Sequence, residues 1–208
     1  DLIILHPRRG LLVLEVKDWK RDTLRNIDKT RAVLMTQTGL KEVANPFEQS
    51  RVYAQEIATL LQRDPMLVNP EGPHRGRLVL PWSHGVVLSN ITRKQFDEGD
   101  LGKVLPPSRV ICRDEMGEDV DPERFQKQLW DMFPWSPTQP ISLPQLDRIR
   151  WHVFPELRIG SGPLARSAPV QAELELSVPD LIRIMDLQQE QLARSLGEGH
   201  RVIHGVAG

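Results

Sequence analysis

Residues 1–17 read DLIILHPRRGLLVLEVK, and the reading of this stretch decides the fold. Asp1 to His6 and Leu11 to Lys17 are apolar, β-rich runs, and Pro7-Arg8-Arg9-Gly10 between them is hairpin punctuation. Leu2 to Leu5 and Leu11 to Leu14 are unbroken apolar stretches, the pattern of strands covered on both faces. Glu15 and Lys17 prolong the second run two positions apart, so both side chains leave the same face of the strand. Depending on the length of the hairpin loop, Asp1 falls opposite Glu15 or opposite Lys17 on that face. Two carboxylates and an ammonium therefore meet at one end of the hairpin, with the carbonyl of Val16 as a possible third ligand for a metal.

That constellation suits phosphodiester hydrolysis, which needs a divalent cation, a nucleophilic water and charge compensation on the phosphate. Magnesium and similar hard cations take carboxylate and carbonyl oxygens. Lys17 would position or deprotonate water, or pair with the phosphate. Glu-x-Lys alone is equally at home on a solvent-facing strand. Here the pair continues a buried run, where an unpartnered charge is costly.

Working outward, Ala32 to Thr36 reads as a third strand. Asn45-Pro46-Phe47-Glu48 has the form of a helix start, with Asn at the cap and Pro at the first helical position. Phe47, Ala54, Ile57, Ala58 and Leu61 recur at helical spacing, which predicts a helix to about Arg63 that buries this face. Gln49 and Tyr53 lie four apart, off that stripe: either an ordinary polar face, or an amide and a phenol aimed at the DNA backbone or the catalytic water. Pro65 to Gly76 reads as loop, Arg77 to Leu80 and Gly85 to Ser89 as strands, and Arg93 to Asp97 as a short helix. Arg109 to Arg113 suggests another strand, and Asp121 to Phe133 another helix capped by Asp121. The order points to an α/β layer fold. Pro134, Pro137, Pro140 and Pro144 mark a boundary loop, and Gly160 to Pro169 reads as a mobile stretch. A helix over Leu187 to Leu196 and a strand over Arg201 to His204 close the chain.

Bulk properties narrow the function. The 208 residues carry a formal charge of -1, so contact with nucleic acid must be local rather than a global basic field. No segment approaches the roughly 20 apolar residues of a membrane span. The lone Cys112 excludes an internal disulfide framework and fits a reducing, cytoplasmic setting. His6, His74, His84, His152, His200 and His204 have no metal-ligand spacing, so zinc is not expected. Trp82, Trp130, Trp135 and Trp151 read as core or boundary packing in preference to base-stacking platforms. Arg8 and Arg9 at the hairpin tip are equally a phosphate contact or a solvated turn, and Asp18 and Asp22 default to the surface. With no signal peptide and no initiator Met, and with ends inside a strand-like run and at Gly-Val-Ala-Gly, the chain reads as part of a longer protein.

The run DLIILHPRRGLLVLEVKDW followed by NPFEQSRVYA resembles the NERD (nuclease-related) domain, a branch of the PD-(D/E)XK nucleases, over about the first 130 residues. The resemblance implies a restriction-endonuclease-like α/β fold, a central mixed sheet flanked by helices. It also implies that Asp1, Glu15 and Lys17 are the catalytic set with Gln49 as an additional helix residue, and that magnesium or manganese is the cofactor. The family's acidic residue on a helix before the catalytic Asp would lie upstream of Asp1. The tail MDLQQEQLARSLGEGHRVIHGVAG resembles the opening of a superfamily-one helicase motor, with Gln189 (or Gln191) in an adenine-reading Q motif. Gly205 and Gly208 would belong to the first half of a Gly-x-x-x-x-Gly-Lys-Thr phosphate loop, whose Lys and Thr the chain lacks, so ATP is expected to serve only the full-length helicase. The division implied is nuclease domain 1–135, connecting region 136–184 and start of the motor 185–208. DNA and the downstream motor are the expected partners, in bacterial DNA processing, repair or defence; the oligomeric state is open. The alternative is a non-cleaving DNA-binding or regulatory module of the motor.

Overall fold

A computed structural model describes residues 1–137 and 139–154. The segments expected at Gly160–Pro169, Leu187–Leu196 and Arg201–His204, with Gln189, Gly205 and Gly208, lie outside the described residues.

The opening run folds as the expected hairpin. Strands β1 (Leu2–His6) and β2 (Gly10–Lys17) pair antiparallel, from Leu2 opposite Leu14 to His6 opposite Gly10. The loop is Pro7-Arg8-Arg9, closed by a bond from the Arg9 amide to the His6 carbonyl at 3.1 Å. Gly10 follows at φ +106°, and a Cβ there would lie 2.0 Å from the Pro81 carbonyl oxygen, which the Leu11 amide needs as its acceptor. Only glycine meets both demands. Gly10→Ala is expected to cost about 2 kcal/mol, from left-handed strain and displacement of Pro81, read as a lower urea midpoint.

β2 continues into a mixed sheet. It pairs in parallel with β6 (Trp82–Leu88), which pairs in parallel with β7 (Val110–Cys112), giving the order β1-β2-β6-β7. Between β2 and β6 the chain builds a separate antiparallel sheet, β3 (Leu24–Ile27), β4 (Arg31–Thr36) and β5 (Gly39–Ala44), and then helix α1 (Pro46–Leu61). Of these strands the sequence pattern reveals only β4. The strand expected at Arg77–Leu80 is absent: Asn69 and Val79 amides bond to the Arg77 and Leu67 carbonyls, so this stretch pairs with residues 67–69 and not with the sheet. Its Leu78 and Leu80 are nonetheless buried.

Alternation along β2 sorts the core. Leu11 packs with Ala58 and Leu61 of α1, whereas Leu12 and Leu14 pack with Met132 and Phe133 beyond α3 (Pro122–Asp131). The sheet is thus sandwiched between α1 and α3, and Leu11 to Leu14 are at most 2% exposed. β1 is the edge, which leaves Leu2 to Leu5 only half-buried. Trp19, Val86 and Leu88 bury against the small sheet and helix α2 (Arg93–Glu98).

The boundary loop gives way to an unexpected helix, α4 (Leu143–Val153), started by a Ser142–Gln145 capping box. Ile141, Ile149 and Val153 are buried with Leu61, Leu67 and Leu80, and the Ile141 amide bonds the Pro7 carbonyl. The region expected to be a linker from residue 136 therefore begins with a helix packed on the sheet domain. Trp82 and Trp130 are half-buried in core clusters, whereas Trp135 and Trp151 are half-exposed. Among the described residues no helix is long and apolar enough to cross a membrane.

Candidate active site

The C-terminal end of β2 carries Glu15 and Lys17 on the face that α1 covers. The paired register ends at Leu2–Leu14; continued by one step it would bring Asp1 opposite Glu15 rather than Lys17. Asp1 itself is exposed, just outside β1. The Leu11 amide and the Lys17 carbonyl both bond toward the β6 side, to Pro81 and Ser89. By alternation the Val16 carbonyl points the other way, past the last β1 pair and toward Asp1.

Helix α1 supplies the next residue. Asn45 caps it by accepting from the Phe47 and Glu48 amides at 2.8 and 3.4 Å. Its own amide group donates to the Asp28 carbonyl at 2.6 Å, and its backbone N–H donates to the Thr30 carbonyl. The small sheet thereby fixes the start of α1, and with it Gln49 in the first turn. Lys17 Nζ donates to Glu15 Oε1 at 2.5 Å and to Gln49 Oε1 at 3.2 Å, and Gln49 Nε2 donates to the Tyr53 hydroxyl at 3.1 Å. Four sequence candidates thus form one chain of contacts. An ammonium has three donors, and two are engaged here. Sequence reading passed over Trp19, whose buried ring lies 5.9 Å from Lys17 Nζ. Its signal was its place two residues after Lys17 on the same run.

Glu15 is the unusual member. It is 2% exposed, and its Oε2 is buried with no hydrogen-bond partner. A desolvated carboxylate oxygen without a donor is costly, and a cation is the group that such an atom fits. Among the described residues no cluster of three or more His, Cys, Asp and Glu could hold a metal. The oxygens at this end of β2 are the Glu15 carboxylate, the Val16 carbonyl and, one register step past Leu2, Asp1. Magnesium is commonly held by one or two carboxylates, with water and phosphate completing its shell.

His84 faces the same layer from β6, with Nδ1 3.2 Å from the Ser50 hydroxyl and its ring against Phe47. Burial, with the charges of Arg109 and Arg51, lowers its pKa to about 4. It is uncharged at neutral pH and joins α1 to β6 without adding a second cation to the site. Arg8 and Arg9 are not part of this cluster; they sit at the other end of β2.

A mixed sheet flanked by helices, with a carboxylate and a lysine at the end of its second strand, is consistent with a nuclease-like fold. The NERD family model, described as a nuclease-related domain, matches residues 1–88, which carry the hairpin, the small sheet, α1 and β6. Searches of curated proteins and of solved structures return no match to the chain.

Proposed function

We propose that residues 1–135 form a divalent-cation-dependent nuclease of the PD-(D/E)XK type that hydrolyses phosphodiester bonds in DNA. One observation carries this reading: the buried Glu15 carboxylate, held on one oxygen by Lys17 and without a donor on the other. Magnesium or manganese, held by Asp1, Glu15 and the Val16 carbonyl, supplies positive charge against the phosphate and Lewis acidity for water. Glu15 holds Lys17 in place, and the remaining Lys17 donor meets the attacking water or the phosphate. Gln49 fixes the ammonium from the helix side, and Tyr53 fixes Gln49. Coupling to a bacterial, cytoplasmic helicase motor that uses ATP rests on the sequence of residues 185–208, where Gln189, Gly205 and Gly208 stand at the resembling positions.

The test is cleavage of labelled single- and double-stranded DNA with added magnesium or manganese, and with EDTA. Metal-dependent nicking or degradation is the expected result. DNA binding without cleavage under every metal condition would sink the proposal in favour of a non-cleaving or regulatory module. Within this reading Tyr53→Phe frees the Gln49 amide and is expected to lower kcat roughly tenfold, as loss of an outer positioning contact does. KM and the melting temperature should hardly move; a change confined to KM would assign Tyr53 to DNA binding instead.

A further inference from the structure

The face opposite Glu15 holds a polar cleft, of about 610 Å³, at the hairpin tip. That volume lies within the range of small-ligand sites. Arg8 and Arg9 line one side, and α3 contributes Gln126 and Trp130; Pro137 and Pro140 form an apolar wall. None of the described lining residues is acidic. The Arg9 guanidinium lies 5.5 Å from the centre of the Trp130 ring, and one of its nitrogens donates to the Ser136 hydroxyl at 2.9 Å. The His6 ring packs on Trp130 as well, at 4.8 Å. The walls are fixed relative to one another, because the Ile141 amide ties the loop to the Pro7 carbonyl at 2.8 Å. Among the described residues neither Arg8 nor Arg9 has a carboxylate partner; Arg9 donates to the Ser136 hydroxyl.

We propose that this cleft is a nucleotide-binding site separate from the cleavage centre, with phosphate on Arg8 and Arg9 and the base against Trp130 and the prolines. Guanidinium groups favour phosphate because their planar donors match its oxygens. Aromatic and guanidinium planes accept a base of any sequence. Five residue steps along β2 separate Gly10 from Glu15, about 17 Å of strand, and Trp130 packs on the other face of the sheet. A nucleotide bound here is therefore not the one being cut. Its chemistry is that of a nucleoside phosphate, either free or as one unit of a single strand.

The experiment is calorimetric titration of the 208-residue protein in EDTA with adenosine 5′-monophosphate, with adenosine, and with a 5′-phosphorylated dodecathymidylate. The monophosphate, the oligonucleotide or both should bind, and the double substitution Arg8→Ala/Arg9→Ala should weaken that binding by at least roughly tenfold. Glu15→Gln should leave the arginine-dependent part of that binding unchanged, which separates this site from the cleavage centre whether or not cleavage occurs. Arginine-dependent binding of the oligonucleotide alone identifies a strand as the ligand; arginine-dependent binding of the monophosphate, stronger than of adenosine, identifies a free nucleotide. No saturable binding of either, or equal binding by the double variant, overturns the proposal.

Discussion

Glu15→Gln is expected to reduce metal-dependent DNA cleavage by at least about a thousandfold while leaving the domain folded. The magnitude follows from position: loss of an outer contact to a metal site costs 10- to 100-fold, and a direct ligand must cost more. The amide keeps the shape of the side chain, so Leu11 to Leu14 and α1 keep their packing. It loses the charge that a cation requires, and half its donor–acceptor surface becomes N–H pointing where Oε2 had no donor. A thermal-shift titration with manganese separates binding from chemistry. A ligand that binds only the folded state stabilises it by about 2.7 kcal/mol at a hundred times its Kd, so the parent should melt higher as manganese rises. Glu15→Gln should not. Lys17→Met should also lose cleavage, but it should keep or strengthen the manganese shift, because the ammonium 2.5 Å from Glu15 Oε1 opposes a cation on the same carboxylate. A manganese shift retained in Glu15→Gln would remove Glu15 from the metal site; cleavage retained in both variants would remove the pair from catalysis.

The sequence showed most of what positions this pair, and the reasons are local. Two unbroken apolar runs around a Pro/Gly turn can form little else than a hairpin, though β1 lies at the sheet edge and is only half-buried, and Asn45-Pro46 caps a helix by its own chemistry. What stayed open depended on one backbone angle. Gly10 at φ +106° closes the loop at Pro7-Arg8-Arg9, and that loop length sets Leu2 opposite Leu14. β3 and β5 escaped notice because LRNI and GLKEVA bury few of their residues, so neither has a strong apolar alternation. Helix α4 was hidden by the prolines around it, although Ser142 and Gln145 form a capping box and Leu146, Ile149 and Val153 recur at helical spacing. The long-range contacts were beyond sequence reading altogether. Nothing near Asp28 announces that its carbonyl will hold Asn45, and nothing near Trp130 that Arg9 will lie over its ring.

Asp64→Ala is expected to destabilise the domain by about 3 kcal/mol, because one buried carboxylate joins α4 to the rest of the fold. Its Oδ1 accepts from the Met66 amide at 2.9 Å; Oδ2 accepts from Arg148 and lies 2.8 Å from His152 Nε2, both on α4. The side chain is 1% exposed, whereas Arg148 is 43% exposed. Truncation therefore strands the Met66 N–H and empties the site, but Arg148 can turn to water, which keeps the cost at the lower end for a broken buried pair. Burial pushes the Asp64 carboxyl up, yet the Arg148, His152 and Met66 hydrogen bonds and the Arg148 charge outweigh it and hold the pKa below the ordinary value. A lowered folded pKa contributes stability that is complete above the unfolded value, near 4, and is lost as pH falls through the folded one. Urea midpoints of the parent and of Asp64→Asn should accordingly differ most at neutral pH and converge below about pH 4. Equal midpoints at neutral pH would show that α4 is not held by this carboxylate. Removing residues 139–208 should be at least as costly as Asp64→Ala, since Leu61, Leu67 and Leu80 lose the cover of Ile141, Ile149 and Val153. A truncated domain as stable as the parent would instead place the end of the folding unit before α4, where the prolines alone suggest it.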